Sequence, residues 1–278
     1  MPDAIWEVTL FVDGPVTLRG RYSTSQQKGF RPDDPFYSDI TINSIPSGLR
    51  AEVTARAPDE RLAYEAAVFF FGRMLDVLAV RIDQPLYLSL AERRVDTNPR
   101  GRHDVRRRLQ VDEIEHAFHE AHLLATSSPP FLRSLGWYRK GLYTEDPFDQ
   151  FLAFWNSIEV VASKYYKYVP SIDHERAKGR SKSQVWECFK ALWGACEEWP
   201  LIGGDSNWID DNYEIRKDVA HGAKSVDITK VAAVASRTPT IRRVAHGFLT
   251  GWREKFLELP RGAPVERVPD DGDDAILF

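Results

Sequence analysis

Through residues 4–56, apolar and polar positions alternate with a period of two, the pattern of half-buried strands. Trp6, Val8 and Leu10 fall on one side of the first run, and Ile5, Glu7, Thr9 and Phe11 on the other. Asp13-Gly14-Pro15 marks a turn, and the runs Val16-Thr17-Leu18, Ile40-Thr41-Ile42 and Ala51-Glu52-Val53-Thr54 are bounded by Pro, Gly, Asp or Asn. From residue 59 the period lengthens, and 59–83 reads as one long helix with Leu62, Ala66, Phe69, Phe70 and Leu78 expected inside. Pro85 ends it, and Leu86-Tyr87-Leu88 is expected to return to the sheet. Gly72, Arg73 and Asp76 interrupt its most apolar stretch, so it reads as a buried helix and not as a membrane span.

Past residue 110 the spacing is helical almost throughout. The expected helices are Asp112–Ala125, Pro130–Leu142, Asp146–Tyr166, Ser181–Trp199, Asn207–His221 and Thr229–Leu259, the last broken near Pro239. Asp146 suits an N-cap with Pro147 at the first helical position, and Gly222 suits a stop. The fold class is therefore α+β. A small β-sheet-plus-helix domain over 1–110 precedes an all-α bundle over 111–260, and an acidic tail over 261–278 ends in Ala275-Ile276-Leu277-Phe278. That tail reads as a docking peptide anchored by Phe278, or as a solubilising segment.

Charge narrows the partners. The net charge is −4, so any polyanion must meet a local basic patch. Residues 91–110 supply one candidate, holding Arg93, Arg94, Arg100, Arg102, Arg106, Arg107 and Arg108 in a loop or exposed hairpin. These arginines could meet RNA phosphates, or pair in solvent with Glu92, Asp96 and Asp104. The start, MPDAIWEVTL, has neither the basic nor the apolar region of a signal peptide. Cys188 and Cys196 lie eight apart on an expected helix, about 12 Å along its axis, too far for a disulfide. A reducing, cytoplasmic setting is expected.

The candidate chemistry lies in Tyr213-Glu214-Ile215-Arg216-Lys217-Asp218-Val219-Ala220-His221-Gly222. Histidine moves protons near neutrality, and arginine forks onto phosphate oxygens. Together they suit cleavage of a phosphodiester beside a 2′-hydroxyl, with no metal or other cofactor required. On a regular helix Arg216 and His221 are about 140° apart. Convergence needs either unwinding before Gly222 or a second copy of the segment across a twofold axis. Glu159 falls within the apolar stripe Leu152, Trp155, Ile158, Ala162 and Tyr165, where a carboxylate is costly unless paired. Arg216 and His221 are its candidate partners. The plainer reading pairs Arg216 with Glu159 to lock two helices and makes His221-Gly222 a C-terminal cap.

Other clusters read more simply. Glu115, His119 and His122 share a helical face and could hold a metal, but a solvated polar face explains them and His116 equally, and no metal is expected. Arg242-Arg243-Val244-Ala245-His246-Gly247 echoes the Arg–His segment. It lies beside the stripe Ile241, Ala245, Phe248 and Trp252 and reads as structural. Cys188, between Trp186 and Phe189, reads as a packed thiol.

The segment Ile215–Gly222 resembles the R-x4-6-H motif of HEPN domains. Phe148–Glu159 is similar to the Glu-bearing helix of Apea-like HEPN proteins. A β-rich front whose helix leads to Gln84-Pro85-Leu86 and then to a helical half is also similar to methylamine-utilization MauJ-like proteins. The likeness covers roughly 112–259, and the front half more loosely. It implies a HEPN-like helical bundle that forms a homodimer and brings two motifs into one cleft. Many such domains are metal-independent endoribonucleases in toxin or phage-defence systems. The resemblance implies that Arg216 stabilises the phosphate, His221 handles protons and Glu159 belongs to the same site. Contacts with RNA are expected from Arg102, Arg106, Arg107, Arg108 and Lys217. The residue after the motif arginine is commonly Asn, Asp or His; here it is Lys217. Some members bind RNA or partners without cleaving, so a non-catalytic RNA-, protein- or ligand-binding role of MauJ-like type stands as the alternative.

Overall fold

In the computed structural model, residues 4–31, 34–91, 105–220 and 228–257 are described. The alternating front half forms a five-stranded antiparallel sheet from β1 (Ala4–Asp13), β3 (Tyr22–Arg31), β4 (Asp34–Ile45), β5 (Gly48–Ala57) and β6 (Tyr87–Ser89). The strand order is β3-β4-β5-β1-β6. The register sets Leu10 opposite Ala51 and Val12 opposite Leu49, while Ile42 faces Ala51 from the other side, giving one buried face. Gly48 turns β4 into β5 at φ +150°, where a Cβ would stand 2.1 Å from Val12 O, so no other residue fits. A short β2 (Val16–Thr17) pairs in parallel with β7 (Arg107–Arg108).

Helix α1 (Glu60–Ile82) starts at Asp59, whose side chain accepts from Leu62 N, and ends at Asp83 in the left-handed region. Leu62 and Phe69, expected inside, are 46% and 44% exposed. The reason is positional. At first α1 buries only one stripe, Ala63 and Ala67; from Phe71 on it buries nearly every side, because α2 (Val111–Ser127) and α3 (Pro129–Tyr143) cover it there. Phe71 meets Phe118 of α2, and Arg139 of α3 donates to Asp76. The change of architecture near residue 110 is therefore not a break in packing, since one apolar cluster runs from Leu10 through α1 to Trp252.

The helical half continues with α4 (Pro147–Tyr165), a short α5 (His174–Ala177), α6 (Ser181–Trp193), α7 (Trp208–Ala220) and α8 (Ile228–Phe256). Asp146 caps α4 as expected, accepting from Phe148 N at 2.9 Å and Asp149 N at 3.0 Å. Two expected boundaries are corrected. Helix α6 stops at Gly194, where φ is +90°, so Cys196 lies off the helix; Cys188 and Cys196 are both free thiols all the same. Helix α8 runs unbroken through Pro239. Its stripe of Val234, Thr238, Ile241, Ala245, Phe248 and Trp252 is buried on both sides of the proline, which outweighs one lost backbone bond. Among the described residues, no helix is long and apolar enough to cross a membrane.

Candidate functional site

Glu159 and Arg216 meet where α7 crosses α4. Trp155, fully buried on α4, lies 6.3 Å from the Trp208 ring and 6.4 Å from the Tyr213 ring of α7. With Trp208, Ile209 and Asn212 buried, Arg216 follows on the same face, one turn beyond Asn212 and Tyr213. Its Nε donates to Glu159 Oε2 at 3.2 Å, and Nη2 lies 3.2 Å from the same oxygen as an ion pair. The carboxylate in the apolar stripe is thus answered by the arginine. Glu159 keeps 15% side-chain exposure and Arg216 keeps 28%, so the pair lies at the edge of the core, within reach of solvent.

The neighbouring charges on α7 serve other ends. Lys217 bonds both oxygens of Glu214 at 3.0 and 2.8 Å, and that hydrogen bond raises its pKa. Asp218 accepts from Lys230, and Arg237 pairs with Asp211 at 3.5 Å, fastening α7 to the first turns of α8. His221 and Gly222 follow the last described residue of α7 and lie outside the described residues, as do Arg93, Arg94, Arg100, Arg102 and the acidic tail with Phe278.

Of the remaining expected RNA contacts, two pin the chain. Arg106 Nη1 donates to Ile45 O at 2.8 Å, and Arg107 Nη2 to Glu113 Oε1 at 2.7 Å. Glu113 also accepts from Gln110 N at the start of α2. Burial alone would raise the Glu113 pKa, but those bonds outweigh it and hold the carboxyl below its ordinary value. Arg108 is exposed on β7.

A second polar site had no signal in the sequence. Glu120 of α2 is 4% exposed. Arg253 of α8 grips both its oxygens, and His116 Nε2 donates to Oε2 at 2.6 Å. Here too burial pushes the carboxyl up, and the bonds from His116 and Arg253 overcome it, so the pKa falls. The solvated-face reading is therefore corrected for His116, which turns to the buried carboxylate, whereas His122 is exposed as that reading has it. These groups border a cavity of about 200 Å³ with Arg81, His246 and Thr250 on its wall. No group of three or more metal-ligating side chains occurs among the described residues. The look-alike segment on α8 is structural, as expected: Arg242 donates to Asp83 O at 3.2 Å and His246 to Val80 O at 2.9 Å, so both bond carbonyls at the end of α1.

Comparisons of the chain with protein-family models, with curated proteins and with solved structures return no match.

Proposed function

We propose that the chain is a HEPN-like protein that works as a homodimer and cleaves RNA without a metal. Arg216 would bind the scissile phosphate and His221 would move the proton. In this reaction the 2′-hydroxyl gives its proton to His221, its oxygen attacks the adjacent phosphorus, and the bond to the 5′-oxygen breaks, that oxygen taking a proton from water as it leaves. Arg216 neutralises the charge that builds on the phosphorane oxygens. Glu159 acts on Arg216, fixing the plane of its guanidinium.

The observation that carries this reading is the Glu159–Arg216 pair, formed across α4 and α7 by the two side chains the family resemblance singles out. A buried lock would need no exposure, whereas this guanidinium remains 28% exposed, and a guanidinium has five N–H donors. The two free thiols support a reducing, cytoplasmic setting.

A specific observation favours the second reading, a non-catalytic RNA-, protein- or ligand-binding role. The Arg216 guanidinium is already paired with Glu159 through one hydrogen bond and one further ion-pair contact, and Lys217 is tied to Glu214. The discriminating experiment incubates mixed RNA with the protein in EDTA, beside Arg216→Ala and His221→Ala. The proposal expects cleavage by the parent and its loss in both variants. Cleavage that survives both substitutions, or that EDTA abolishes, overturns it.

A further inference from the structure

Strand β1 is paired along its whole length on one side only. Toward β5 the register runs unbroken from Ala4 to Asp13, whereas toward β6 it covers only Phe11, Val12 and Asp13. Strand β6 stops because Ser89 Oγ bonds both N and O of Ala91 and the chain bends at Leu90 and Ala91. Among the described residues, no strand lies beside the outer edge of Ile5–Leu10.

The ladder determines which groups this leaves open. Gly14 N donates to Ser47 O at 2.9 Å, and that pair continues the β1–β5 register. Antiparallel strands bond at every second residue, so Trp6, Val8, Leu10 and Val12 bond β5. Ile5, Glu7 and Thr9 turn their N–H and C=O groups the other way, to the open edge. Between this edge and the start of α1 lies a groove of about 740 Å³, with Trp6, Val8, Tyr64 and Leu90 as its apolar lining. Trp6 Nε1 donates to Ala57 O at 3.1 Å, which fixes that ring, while Tyr64 and Leu90 are exposed. The charged lining is Glu7, Asp59, Glu60 and Arg61; Arg61 is answered by Glu65 at 2.8 Å, so the balance is acidic.

We infer that Ile5–Thr9 takes up an antiparallel strand from a partner peptide of the pattern apolar-Lys-apolar. The lysine then forms the hydrogen-bonded pair with Glu7, and its side chain lies beside the Glu7 carboxylate. Glu7 is exposed; its opposite residue on β5 is the uncharged Thr54, and Arg56 stands only at the diagonal. The flanking residues alternate to the other face, over Trp6 and Val8, where apolar side chains suit the groove. Main-chain bonds supply the affinity and the alternating side chains the selectivity. Two other occupants fit worse. A second copy that paired all of Ile5–Thr9 across a twofold axis would set Glu7 directly opposite Glu7. The tail over 261–278 would bring Asp270, Asp271, Asp273 and Asp274 to an acidic groove. This edge stands apart from Arg216 and His221, and its test does not depend on their chemistry.

The test is fluorescence polarisation of a labelled Thr-Val-Lys-Val-Thr amide titrated with the full chain, where saturable binding is expected. Methylating the lysine amide nitrogen of the peptide should weaken binding at least about tenfold, because that N–H meets Glu7 C=O. Methylating a valine amide, which points away, should change it by less than about threefold. A glutamate in place of the peptide lysine should weaken binding about fivefold, and Glu7→Lys in the protein should reverse that preference. Thermal melting verifies that Glu7→Lys is folded, and the methylated peptides leave the protein unaltered. The inference is overturned if the lysine peptide does not bind, if the two methylations act alike, or if Glu7→Lys keeps the preference for lysine. It is also overturned if a peptide of residues 261–278 competes as well as the unlabelled lysine peptide. A dimer in sedimentation that Thr9→Pro abolishes would assign the edge to a second copy and overturn it too.

Discussion

Replacing Arg253 with alanine strips Glu120 of its guanidinium while leaving the carboxylate 4% exposed. Breaking a fully buried ion pair from one side costs about 3–5 kcal/mol, because the remaining charge stays uncompensated. Two features reduce that here. Arg253 is about a third exposed, so water can enter, and His116 still donates to Glu120 Oε2 at 2.6 Å. The expected loss is about 2 kcal/mol. For a chain of this size that is a fall in Tm of about 5 °C. Thermal and urea unfolding at neutral pH measure it, and a cycle through Glu120→Ala and the double variant isolates the pair. A coupling of about 1.5–2 kcal/mol is expected, since the double variant removes both the charge and its partner. A loss below about 0.5 kcal/mol, or two single effects that simply add, would refute the claim that the clasp stabilises the junction of α2 and α8.

Other outcomes follow from the same geometry. The folded-state pKa of Glu120 is depressed, so its stabilisation is present above the unfolded value and is lost as pH falls through the folded one. Melting in acid should therefore fall less steeply for Glu120→Gln than for the parent, and parallel curves would contradict this. Cys188 is fully buried with its thiol pKa pushed up by burial, whereas Cys196 is only partly buried. A thiol reagent at neutral pH should titrate Cys196 in the native protein and Cys188 only after unfolding; rapid reaction of both would show α6 to be open. Gly141→Ala would place a Cβ 2.7–2.9 Å from the buried Phe154 ring and should cost about 1–3 kcal/mol in urea unfolding, whereas an unchanged midpoint would contradict the close α3–α4 approach.

Much of this was legible in the residues because local rules decide it. Asp146-Pro147 announces the start of α4, and a glutamate within an aromatic stripe demands a partner, which Arg216 supplies. Where distant elements decide, the sequence is silent. Leu62 and Phe69 belong to the apolar pattern of α1, but only the reach of α2 and α3 determines which of its turns are covered. Glu120 looks like one more charge on a polar face, because Arg253 stands 133 residues away. Pro239 should break a helix, and packing along α8 overrides it. Gly194 ends α6 by a positive φ, a stop the apolar spacing through Trp199 conceals.

The chemistry proposed for Arg216 and His221 would leave a mark on its products. When the neighbouring 2′-oxygen is the nucleophile, the upstream fragment ends in a 2′,3′-cyclic phosphate and the downstream fragment begins with a 5′-hydroxyl. Mass spectrometry of RNA fragments generated in EDTA reads both ends directly. Cyclic phosphates are expected from the natural chain and none from His221→Ala. Fragments that end in 3′-hydroxyls and begin with 5′-phosphates would contradict it.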